Sequence, residues 1–115
     1  MTKLSNKKCI TCEFGSNPLP LDKIRKLLAE VDGWKLNEVE SGIYKHFKFG
    51  NYYKTIAFVN AVAWVANNEG HHPKLEVGFN YCTVHYSTHA AKGLTENDFI
   101  CASKIDVITQ LAIEV

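Results

Sequence analysis

Residues 51–73 read NYYKTIAFVNAVAWVANNEGHHP, and the reading of this stretch decides the fold. Asn51 suits an N-cap, because its side-chain oxygen can accept one of the amide protons that a first helical turn leaves without a partner. Tyr52, Ile56, Val59, Ala63 and Ala66 recur at helical spacing as one apolar stripe, which Phe58, Val62 and Val65 widen. Gly70 suits the left-handed residue that closes a helix. The stretch therefore predicts a helix from Tyr52 to Glu69. A helix apolar over so much of its girth is either the centre of the fold or a contact with a second subunit. His71, His72 and Pro73 follow at once, and the proline biases His72 toward extended backbone.

Upstream, Ile43, Lys45, Phe47 and Phe49 alternate with Tyr44, His46 and Lys48, the period of a strand. The segment Trp34 to Leu36, joined to it through Glu40-Ser41-Gly42, completes a hairpin. Before that, Leu21, Ile24, Leu27, Leu28 and Val31 predict a helix over residues 20–31 that Asp32-Gly33 ends. Downstream, Leu75, Val77 and Phe79 predict a strand and Phe79-Asn80-Tyr81 a turn. The return strand carries Cys82, Val84, Tyr86 and Thr88 on one face and Thr83, His85, Ser87 and His89 on the other. Thr95-x-x-Asp98 opens a last helix as a capping box, continued by Phe99, Ala102, Ile105, Ile108 and Ala112. The order α-β-β-α-β-β-α implies an α+β fold, a four-stranded antiparallel sheet with three helices packed on one face. Residues 1–17 are polar and end in Gly15-Ser16-Asn17-Pro18, so they are expected to form a flexible amino-terminal arm before a single domain over residues 18–115.

The 115 residues carry 13 basic and 12 acidic side chains, a net charge of +1, which argues against direct nucleic-acid binding. No stretch is apolar for the roughly 20 residues of a membrane span, and no signal-like run follows the first lysines. A cytoplasmic protein with Cys9, Cys12, Cys82 and Cys101 as free thiols is expected. Cys9-x-x-Cys12 lacks both the second pair of a zinc ribbon and the strand-to-helix setting of a redox motif, and reads as structurally incidental. Of five histidines, His46 and His85 occupy polar strand positions and read as surface residues. His71 and His72 sit at the negative end of the long helix, and the short hairpin should bring His89 back beside them. Imidazoles so gathered can exchange protons near neutral pH, since their ordinary pKa is about 6.5. Two other readings stay open: the adjacent pair can simply cap helix carbonyls, or the histidines could bind zinc, although neighbours in an extended segment point apart.

Glu69-Gly70-His71-His72-Pro73, Tyr81, Ser87-Thr88-His89 and Gly93-Leu94-Thr95-x-x-Asp98, with Gly33-Trp34 and Phe47-x-Phe49-x-Asn51 upstream, together resemble the pterin-4a-carbinolamine dehydratases over about residues 18–113. The resemblance implies the same α+β fold and a dehydratase that needs no metal or organic cofactor. Its reaction would convert 4a-hydroxytetrahydrobiopterin to quinonoid dihydrobiopterin and water, recycling the cofactor of aromatic amino acid hydroxylases. It further implies a pterin held by His71, His72, Pro73, Ser87, Thr88, His89 and Asp98. In that scheme His71 and His89 protonate the 4a-hydroxyl, while His72 holds the substrate and shuttles the nitrogen proton. A homodimer or homotetramer is expected, and a protein-binding role as dimerisation cofactor or transcriptional coactivator is the alternative. One departure is Asn67, four positions before His71, where many members carry a glutamate or another ionisable residue. Asparagine cannot relay a proton at neutral pH, and Glu69, two residues on, should point about 200° away. Leu75 stands where some members have an aromatic residue.

Overall fold

Local capping chemistry fixes the long helix at both ends. In the computed structural model, which describes residues 3–11 and 16–111, helices α1 (Leu21–Leu28), α2 (Tyr52–Glu69) and α3 (Glu96–Leu111) are interleaved with strands β1 (Lys35–Leu36), β2 (Ile43–Lys48), β3 (Lys74–Val77) and β4 (Tyr81–Tyr86). At the start of α2, Asn51 Oδ1 accepts the Lys54 amide at 2.8 Å. At its end Gly70 has φ of 64°, and the amides of Gly70 and His71 donate back to the carbonyls of Asn67 (3.3 Å) and Ala66 (3.1 Å). This crossed pair of bonds is a Schellman closure, and it sets the direction in which His71 leaves the helix.

The strands make one antiparallel sheet in the order β1-β2-β4-β3, so the two hairpins lie side by side with β2 and β4 at the centre. Alternation decides the faces as expected. Ile43, Phe47, Cys82, Val84 and Tyr86 are buried with the helices, whereas Tyr44, His46, Thr83 and His85 lie half-buried or exposed opposite. His46 and His85 are satisfied on that open face by Thr83 (2.7 Å) and Glu76 (2.5 Å). Lys45 is accommodated at this position because its ammonium reaches past Phe47 to Asp106 Oδ1 (3.0 Å) and the Asp32 carbonyl (2.8 Å). Burial pushes the Asp106 carboxyl above its usual range, against the Lys45 and Trp34 hydrogen bonds that hold it down.

Three expectations change. The buried face of α2 is Thr55, Phe58, Val62, Val65 and Ala66, while Tyr52 and Ala63 of the expected stripe are exposed and Ile56 and Val59 half-buried. Both sets have helical spacing, so period could not choose between them. The larger Phe58 wins the core, and the polar Thr55 is tolerated because its hydroxyl donates within the fold, with the carbonyls of Asn51 (2.9 Å) and Phe79 (3.1 Å) in reach. Strand β3 stops at Val77, the turn is Gly78-Phe79-Asn80, and Tyr81 already belongs to β4. The described part of the amino-terminal arm is held to the fold: Leu4–Asn6 forms a 3₁₀ turn, Leu4 is buried, and Lys104 Nζ donates to the Ser5 carbonyl at 2.9 Å. Cys12 and Ala112 lie outside the described residues. No helix among the described residues is long and apolar enough to cross a membrane.

The assignment of the α2 core face is checked by urea unfolding. Phe58→Ala should cost about 3–5 kcal/mol, whereas Ala63→Ser should stay within about 0.5 kcal/mol. Similar losses at both positions would contradict this orientation of the helix.

Candidate active site

Three chain segments meet where α2 ends. The Schellman closure delivers His71, strand β4 runs out through Ser87 and Thr88, and the first turn of α3 supplies Asp98. Thr88 is pinned to Gly93 by a two-bond bridge, its amide donating to the Gly93 carbonyl at 2.8 Å. The four-residue excursion between them turns through a 3₁₀ segment (His89–Ala91) closed by Lys92 at φ of 54°. That loop leaves His89 exposed at the rim, one turn beyond the strand on which its sequence position had placed it.

Asp98 is fully buried, with three donors around it. His71 Nε2 meets Oδ1 at 2.5 Å, while the Thr88 hydroxyl (2.8 Å) and the Thr95 amide (3.0 Å) donate to Oδ2. The Thr95 bond is one half of the expected capping box. The Thr95 hydroxyl lies 2.7 Å from that of Thr88 instead of completing the other half. Asp98 therefore does more than cap; the family resemblance implied contact with substrate, and here Asp98 is buried behind the residues that line the cavity. Tyr86 lies alongside His71, its ring stacked at 5.3 Å and its hydroxyl donating to the His71 carbonyl at 3.2 Å. Burial by itself would lower the pKa of His71, but the hydrogen bond and charge of Asp98 outweigh it and hold the imidazole above its ordinary value.

A cavity of about 440 Å³ opens at this junction. His71, His72, Ser87, Thr88 and His89 all line it, as do Gly70, Ala90 and Asn97. A second cavity of about 450 Å³ shares His72, Ser87 and His89 with the first, and Pro73 belongs only to this one. The three histidines thus come together, with His72 and His89 on the ridge between two hollows. Among the described residues no three His, Cys, Asp or Glu side chains converge as metal ligands.

Sequence reasoning missed one wall. Cys9, Ile10 and Thr11 of the arm line the first cavity together with Glu69. Asn97 clamps the arm there, accepting the Ile10 amide at 3.0 Å and donating to the Ile10 carbonyl at 2.7 Å. The Glu69 side chain is only 7% exposed, accepts the Cys9 amide at 2.8 Å and lies 3.7 Å from Lys104. Asn67, the position weighed as a relay, is exposed and does not line the cavity. Angular spacing on the helix misjudged Glu69 because the arm, not the sheet, builds this side of the hollow. No periodic pattern marked the arm for that role.

Comparison with known proteins agrees with this architecture. The family model described as pterin 4 alpha carbinolamine dehydratase matches residues 17–108. A protein of Nitrosospira multiformis, provisionally named a pterin-4-alpha-carbinolamine dehydratase, is 51% identical over 108 residues, covering 94% of this chain and 94% of its own. One from Legionella pneumophila strain Corby, named in the same provisional way, is 53% identical over 104 residues, covering 90% and 92%. The crystal structure of a transcriptional coactivator/pterin dehydratase from Brucella melitensis superposes with a TM-score of 0.77 at 29% identity, over 80% of this chain and 98% of that one. A pterin dehydratase-like protein identified as a RuBisCO assembly factor in the α-carboxysome superposes with a TM-score of 0.58 at 25% identity, over 66% and 88%. With a family model spanning most of its length and relatives about half identical to it, the chain belongs to the pterin-4a-carbinolamine dehydratase family.

Proposed function

We propose that the chain dehydrates a pterin 4a-carbinolamine by histidine acid–base catalysis in the cavity beneath His71. The observation that carries this reading is the His71–Asp98 pair at the wall of a hollow that His72 and His89 also line. Loss of water from a carbinolamine requires a proton on the departing hydroxyl and removal of another from the neighbouring nitrogen. His71, its pKa raised by a buried carboxylate, suits the first task, with Nε2 committed to Asp98 and Nδ1 the ring nitrogen left to deliver a proton. His89 at the rim is the second acid, and His72 on the ridge holds the substrate and takes the nitrogen proton. Ser87 and Thr88 line the same wall, and Asp98 acts only through His71. The family resemblance supplies the pterin, the recycling role, the cytoplasmic setting and the homo-oligomer of this reading.

A second reading is a protein-binding role. The Brucella protein is described as a transcriptional coactivator, and here α2 exposes Tyr53 (82%) and Trp64 (65%), large side chains that a partner surface could cover. Loss of partner binding in Trp64→Ala with full turnover would separate the two roles.

Two measurements test the enzymatic reading. On synthetic 4a-hydroxytetrahydropterin, His72→Ala and His89→Ala should each lower kcat/KM at least about tenfold; a double variant with full activity would contradict the assignment. The pH profile reports on His71. Activity should fall as pH rises through its pKa, above the ordinary 6.5. In Asp98→Asn the burial of the ring is no longer opposed by a charge, so this limb should move to lower pH. An unmoved limb would remove His71 as the titrating acid.

A further inference from the structure

The arm and α3 each place a cysteine beside the cavity. Cys9 Sγ lies 3.6 Å from Cys101 Sγ, although 92 residues separate them in sequence. A disulfide is about 2.05 Å long, so bonding needs a closure of only about 1.5 Å. Cys9 is already held in position: its amide is bound by Glu69 Oε1 at 2.8 Å, and the next residue is clamped by Asn97. The two sulfurs differ in access. Cys101 is fully buried in α3, while Cys9 is half-buried and lines the 440 Å³ cavity.

We propose that Cys9 and Cys101 form a redox-sensitive dithiol site that closes to a disulfide by exchange with a small-molecule disulfide, latching the amino-terminal arm over the cavity. The cavity admits the oxidant to Cys9. Cys9 Sγ, giving up its proton, attacks one sulfur of the disulfide RSSR, forming Cys9–S–SR and releasing the first RSH. Cys101 Sγ then attacks Cys9 Sγ, the bond to SR breaks, and the second RSH leaves with the Cys101 proton. Two protein thiols are oxidised and one RSSR is reduced to two RSH, so no other reactant is needed. The electrostatics favour the second step. The Cys9 hydrogen bond pulls the Cys101 thiol below its ordinary pKa against burial, helped by the Tyr86 hydroxyl and the charge of His71. Cys9 is pushed up, first by the same hydrogen bond to Cys101 and then by burial, so its attack on the small-molecule disulfide is the slower of the two steps.

This inference does not rest on the dehydratase reading, and its test needs no substrate. The reduced full-length chain is treated with glutathione disulfide, digested without reductant and mapped by mass spectrometry. The expected result is the loss of two titratable thiols and a peptide pair linked through Cys9 and Cys101, kept in Cys12→Ser and absent in Cys9→Ser. Amide exchange over residues 3–11 should slow at least tenfold on oxidation and recover with dithiothreitol. A Cys9–Cys12 link, a glutathione adduct that persists on Cys9, or unchanged exchange in the arm would overturn the proposal.

Discussion

A carboxylate with no exposure to solvent, Asp98, holds together the part of the molecule that matters. Its three donors come from the end of α2, the exit of β4 and the cap of α3. A charge in that position is costly unless its hydrogen bonds are satisfied, and taking one partner from such a buried set costs about 3–5 kcal/mol. Its place in the first turn of α3 adds the favourable field of the helix amino terminus. The geometry of the cavity and the raised pKa of His71 are therefore consequences of one buried charge. Moving any of the three segments would leave that charge poorly solvated.

The surrounding framework makes this arrangement rigid. The Schellman closure at Gly70 fixes the exit of the chain, the Tyr86 ring and hydroxyl hold His71 from the side, and the bridge between Thr88 and Gly93 fixes the loop that presents His89. His72 and His89, by contrast, are exposed side chains on the ridge. One imidazole is thus held between a carboxylate and a tyrosine ring, while two are exposed.

Much of the fold was legible because its signals are local. The Asn51 cap, the Gly70 closure and the two-residue period of β2 and β4 each follow from the conformational needs of a few neighbouring residues. The burying face of α2 was not, because Phe58 and Val59 both lie on acceptable stripes and only packing separates them. In the site, the gathering of His71, His72 and His89 followed from hairpin length. Asp98 was visible as a cap, but the second use of its carboxylate depends on a residue 27 positions away. Glu69, Asn97 and the arm were invisible for the same reason: their role comes from irregular chain laid across a helix end, held by side-chain to backbone bonds that leave no periodic trace.

The central claim is that Asp98 raises the pKa of His71 above its ordinary value in the unliganded protein. It is tested most directly by following the side-chain nitrogen resonances of the histidines by NMR as pH is raised. His71 should remain an imidazolium to a higher pH than the ordinary 6.5, with a strongly downfield Nε2 proton from the bond to Asp98. A His71 ring that is neutral at and below pH 6.5, its Nε2 free of a shifted proton, would contradict the account.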